Sequence, residues 1–174
     1  MKKSFSLFSF IGFVFVSVLG TLLHFVYDWT DKNVIASLFS GVNESTWEHM
    51  KLLFFPLFVF ALIERFFFKE RNDFWCVKLI GTLTGLLLMP IIFYTYNGVF
   101  GQSPDWVNIT IFFVSAAVVF ILENLIFKNN ILKCRFPSFA FSVLCVIGLL
   151  FFVFTFYPPQ IPLFKDPVTG SFGV

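Results

Sequence analysis

The chain has 174 residues, 58% of them hydrophobic and 13% charged, with 30 phenylalanines and a formal net charge of +2. An ordinary soluble domain is about 45–50% apolar and about 25% charged. That much apolar surface excludes a water-soluble globule and makes the lipid bilayer the fitting solvent. The small net charge, with no run of Lys or Arg, predicts no nucleic-acid partner.

In chain order, the first element is an apolar run over 5–27 behind Lys2 and Lys3. A signal-peptide core has about 7–15 apolar residues, and no clear small-x-small cleavage site follows, so this run is read as a retained span. Further spans are expected over 48–68, 75–96, 107–127 and 138–157, each close to the about 20 helical residues that cross a bilayer. Open sheet edges have no place in lipid. The expected fold is therefore all-α: a polytopic transmembrane bundle of five helices forming one domain over 1–174, with an outer tail over 158–174. Pro56 and Pro90 fall inside the second and third spans and predict kinks. Gly81 and Gly85 form a small-xxx-small pair suited to close helix approach.

Orientation follows from the bases. With the N-terminus inside, Lys2, Lys3, Arg65, Lys69, Arg71, Lys78, Lys128, Lys133 and Arg135 lie inside, against Lys32, Lys51 and Lys165 outside. This positive-inside bias predicts N-terminus inside, C-terminus outside. Cys76, Cys134 and Cys145 show no paired spacing, so no disulfide framework is expected. The same topology makes them reduced thiols. Glu64 and Glu123, near the inner ends of two spans, are expected to be neutralised by Arg65, Lys69 and Lys128.

The outer half is where acids and histidines gather: Asp28, Asp31, Glu44, Glu48, Asp105, Asp166, His24 and His49. His24 and Asp28 are four apart, which on a helix puts them on one face. Glu44 and Glu48 repeat that spacing. The 29–43 connection is short enough to bring both pairs together. Part of this pattern is structural: Ser45-x-x-Glu48 reads as a capping box, Asn43 is an alternative N-cap, and Trp47 reads as an interface anchor. His24 is not explained that way, because a polar ring inside an apolar run needs a partner.

The candidate binding residues are His24, Asp28, Asn43, Glu44, Trp47, Glu48 and His49. The metal-ligating candidates among them are His24, Asp28, Glu44, Glu48 and His49, since imidazole with carboxylate suits Zn, Mn or Fe. Three readings stay open. The first is a binding protein that holds a divalent cation or cationic group on this cluster, with the Pro-rich tail as lid. The second is a metal-dependent membrane hydrolase or transferase acting on lipid or envelope substrates. The third is a structural subunit of a larger complex, with a membrane-protein partner.

Three segments, HFVYDW (24–29), VNESTWEHMKLLFFP (42–56) and YPPQIPLFKDPVTGSFGV (157–174), resemble a family of small five-span bacterial membrane proteins of unknown function. The NESxWEH and PPxxPLFxDP segments carry the likeness, which extends over essentially the whole chain. It implies a multi-pass protein of the bacterial cytoplasmic (inner) membrane. It implies no activity, ligand or catalytic residue.

Overall fold

The computed structural model describes residues 2–174, with side chains from Phe5 onward. The side chains of Lys2 and Lys3, used in the orientation count, lie outside the described residues. Six α-helices follow in order: α1 (Lys2–Trp29), α2 (Val34–Phe39), α3 (Thr46–Arg65), α4 (Phe74–Phe100), α5 (Asp105–Asn129) and α6 (Pro137–Phe156), with a 3-10 turn at Pro162–Phe164. All but α2 are long and apolar enough to cross a membrane. Among the described residues the only strand-like feature is one isolated bridge, Lys165 to Phe172. The short α2 was not expected from the sequence. It forms because Asn33 caps it, accepting from the Ile35 and Ala36 amides, as short polar side chains do at helix starts.

Helix α3 is the most buried of the five and packs against α1, α4 and α6, while α4 and α5 pair closely with each other. Its core face carries Leu53, Phe54, Leu57 and Phe60, all buried. Helix α1 shows the opposite balance. Leu7, Phe10, Val14, Val18, Leu22 and Phe25 form an exposed apolar stripe at helical spacing, which suits a face turned to lipid. Helix α3 ends at Arg65, short of the expected 68. Arg65 curls forward and donates to the carbonyls of Phe68 and Lys69 in the connection that follows. Both α3 and α4 continue through Pro56 and Pro90.

Two expectations fail at the end of the bundle away from the acidic cluster. Cys76 and Cys134 are joined in a disulfide, leaving Cys145 free. The bond ties the first turn of α4 to the α5–α6 connection, 58 residues away in sequence. Local spacing carries no sign of such a long-range pair. By the same compartment argument a disulfide at this end counts against the N-inside orientation; the Lys/Arg count supports that orientation independently. Glu64 and Glu123 are not neutralised by Arg65, Lys69 or Lys128. Both pair instead with Lys78, and all three are buried. A four-residue period links neighbours on one helix, whereas this triad joins α3, α4 and α5.

The Gly81–Gly85 pair does make a close helix contact. A Cβ at Gly81 would lie 2.6 Å from Glu123 Oε1, and one at Gly85 would lie 2.5 Å from Val119 Cγ2. Overpacking of this kind costs about 1–3 kcal/mol. Gly85→Ala is expected to lower the thermal unfolding midpoint in detergent. Gly98→Ala, with nothing within 4 Å of the added carbon, is expected to leave it unchanged or raise it. Equal midpoints for the two variants would refute a tight α4–α5 contact.

Candidate metal centre

The local sequence around the N-terminus of α3 decides what points where. Ser45 is the N-cap and its hydroxyl accepts from the Glu48 amide. Only half of the expected capping box forms. The Ser45 amide donates to Asn43 Oδ1 instead of to Glu48. Glu48 turns inward, is buried, accepts from the Val42 amide at 3.1 Å and pairs with Lys51. Lys51 is itself fully buried and also donates to the Ser37 carbonyl (2.8 Å) and to Thr155 Oγ1 (3.0 Å).

Glu44 precedes the cap, so the helical period that would align it with Glu48 does not apply. Its carboxylate stands instead between two imidazoles. His24 Nε2 is 3.6 Å from Glu44 Oε1, and His49 Nε2 is 3.6 Å from Glu44 Oε2. The two rings are 5.6 Å apart between centroids. Among the described residues, these three form the group of possible ligands whose atoms all lie within 4.8 Å of one another. Asp28, at the exposed end of α1, is not in the group.

The remaining candidates support the site from outside it. Asn43 donates from Nδ2 to the Gly173 carbonyl and so fastens the tail. Trp47 packs its ring on Phe151 and Phe164, at 4.5 and 4.7 Å between centroids. Phe164 comes from the tail, which lies across the ends of α3 and α6 rather than trailing into solvent. Asp166 organises the last turn, accepting from the Val168 amide and the Thr169 hydroxyl. That turn sets Pro167 and Val168 on the wall of a cavity of about 550 Å³ that His24, Glu44 and His49 also line.

The hydrogen bonds of the cluster fix its chemistry. His49 Nδ1 lies 2.9 Å from the Ser45 carbonyl oxygen. A carbonyl only accepts, so Nδ1 carries the proton and the Nε2 lone pair is free to face Glu44. A metal-bound histidine is commonly oriented by a bond of this kind from its other nitrogen. The 3.6 Å separations are too long for direct hydrogen bonds. They suit two atoms sharing one ion, since ligands about 2.0–2.1 Å from zinc at tetrahedral to trigonal angles lie about 3.3–3.6 Å apart.

Across the cavity, Asn97 Nδ2 donates to Ser103 Oγ, and Ser103 Oγ donates to Asn108 Oδ1. The direction of this chain makes Asn108 Oδ1 the acceptor, and among the described residues Asn108 Nδ2 has no protein acceptor. Sequence reading missed Asn97, Ser103, Asn108 and the tail residues, because they meet the cluster only when α4, α5 and the C-terminus pack beside it. The one hint was that the expected topology puts the connection between the third and fourth spans, and the tail, on the side of the histidines.

A family of unknown function, DUF6512, matches residues 2–174. The chain belongs to that family. Membership agrees with the resemblance carried by the NESxWEH and tail segments and adds no activity. No curated protein and no solved structure matches the chain.

The buried Lys51 gives a direct test of this geometry. Breaking a buried ion pair by removing one partner costs about 3–5 kcal/mol, whereas replacing both can be nearly neutral. Lys51→Met is expected to reduce the folded yield and unfolding midpoint sharply, and Glu48→Gln added to it is expected to restore most of the loss. If the double variant were no more stable than Lys51→Met, the pair would not be the constraint described here.

Proposed function

We propose that this small multi-pass membrane protein binds a divalent cation through His24 Nε2, His49 Nε2 and the Glu44 carboxylate. The observation that carries the reading is the convergence of these three groups within 4.8 Å, with His49 already held in the ligating tautomer by Ser45. Two imidazoles and one carboxylate suit Zn, Mn or Fe. Asp28 and Glu48, also candidates from sequence, stand outside this set: Asp28 is exposed, and Glu48 is committed to Lys51.

Metal analysis of the purified full-length protein tests the reading. One equivalent of metal is expected in wild type, with near-complete loss in Glu44→Gln and His49→Ala. Glu48→Gln is expected to keep its metal in whatever fraction folds. Wild type free of metal after supplementation with Zn, Mn and Fe in turn would overturn the assignment.

A second reading is metal-assisted hydrolysis or transfer. It draws support from the donor count, since three protein ligands facing a cavity leave a coordination position open, as in catalytic zinc sites.

We place the protein in the bacterial cytoplasmic membrane with the cation site on the outer face. The support is the excess of Lys and Arg at the opposite end. The C-terminus lies at the site end, where the Val174 amide donates to the Thr155 carbonyl. A C-terminal alkaline phosphatase fusion is therefore expected to be active, and a C-terminal green fluorescent protein fusion dark. The reverse pattern would turn the molecule over.

A further inference from the structure

We infer that the cavity receives a phosphate-bearing membrane lipid from the side, its headgroup on the cation site; this rests on the cation reading above. The cavity is polar at one end and apolar at the other. His24, Glu44 and Asn108 stand at the polar end. Gly20, one turn of α1 deeper than His24 and about 6 Å along the axis, lines the apolar end with Phe112. The polarity of the cavity thus runs in the same direction as that of a lipid in the leaflet beside it.

The cavity also has an open flank. Phe25 of α1 and Ile109 of α5 line it, yet they are 45% and 57% exposed. Thr21 lines it too and is exposed. These are faces of membrane-spanning helices, so the opening between α1 and α5 gives onto lipid rather than water. Below it the helices close: a Cβ at Gly20 would lie 2.5 Å from Phe112 Cζ. The flank is therefore a mouth at headgroup depth and not a gap along the bundle. A volume of about 550 Å³ falls within the about 300–1,000 Å³ of small-molecule sites. It holds a headgroup and the start of a chain, while the remaining chain stays in the bilayer.

The chemistry selects the headgroup. A divalent ion offset by Glu44 leaves one positive charge. Among the described residues no Lys or Arg lines the cavity, so recognition falls to the ion and to the free amide of Asn108. Both favour an oxyanion, and a single negative charge matches a phosphodiester. Asp105 also lines the cavity but is exposed to water, where its charge is screened. A soluble phosphate ester has the same head chemistry, but it has no use for an apolar floor and a lipid-facing mouth.

Native mass spectrometry of the zinc-loaded full-length protein distinguishes these ligands. The probes are phosphatidylglycerol, diacylglycerol and glycerol 3-phosphate. One phosphatidylglycerol is expected to stay bound, with diacylglycerol at least about tenfold weaker. Ile109→Trp and Thr21→Phe fill the mouth from outward-facing positions. Each is expected to lower bound phosphatidylglycerol by about tenfold while the zinc content stays that of wild type. Equal retention of diacylglycerol, displacement by glycerol 3-phosphate at matching concentration, or indifference to both substitutions would each overturn the lipid. Absence of zinc from wild type would overturn the cation reading and this one together; zinc retained without lipid preference overturns this one alone.

Discussion

The ammonium of Lys51 is the constraint on which the site end of the molecule depends. It is fully buried and joins three elements: Glu48 on its own helix, the Ser37 carbonyl of α2 and the Thr155 hydroxyl of α6. A buried charge left without partners is costly enough to forbid most alternative arrangements. Because Lys51 claims Glu48, and Glu48 in turn claims the Val42 amide, the 40–45 loop is fixed against the bundle. Glu44 is carried to its place between the histidines as a consequence. Of two acids that are both ligand candidates by sequence, Glu48 is thus the strut, and Glu44, just outside the helix, faces the cavity.

The opposite end is organised by the same physics with different parts. Lys78 on α4 bridges Glu64 on α3 and Glu123 on α5, and Gly81 leaves the space that Glu123 occupies. Three helices are thereby held in register by one cation in a region where water offers no competing bonds. Phenylalanines fill the space around the triad. Phe5 stacks on Phe68 and Phe127, with the Arg71 guanidinium 5.5 and 5.4 Å from the Phe5 and Phe127 ring centroids. Helices in lipid gain little from burying apolar surface against one another. Buried ion pairs, close glycine contacts and stacked rings are the interactions left to specify this bundle.

At the site end the cavity is built from pieces that do not adjoin in sequence. The histidines come from α1 and α3, the carboxamides from α4 and α5, and part of the wall from a tail anchored by Asn43 and Trp47. Residues that cap and pack therefore have a functional consequence, since they place the tail over the cluster. The free Asn108 amide and the Nε2 atoms of the two histidines face one space from different walls. That convergence distinguishes a built pocket from a chance group of polar residues at a membrane surface.

Hydropathy and length by themselves determined the all-helical membrane architecture, because a run of about 20 apolar residues has few alternatives to a spanning helix. They also placed both histidines and Glu44 at one end, and the excess of bases at the other. Ser45 was legible as a cap because capping is local chemistry. Which acid joins the histidines was decided only by the tertiary structure. Glu44 and Glu48 look equivalent in sequence, and the difference between them is that Lys51, held by α2 and α6, takes Glu48. The Cys76–Cys134 bond, the Glu64–Lys78–Glu123 triad and the Asn97–Ser103–Asn108 wall were likewise decided there. Each joins distant segments, and the free energy of such contacts depends on packing geometry that no local spacing encodes.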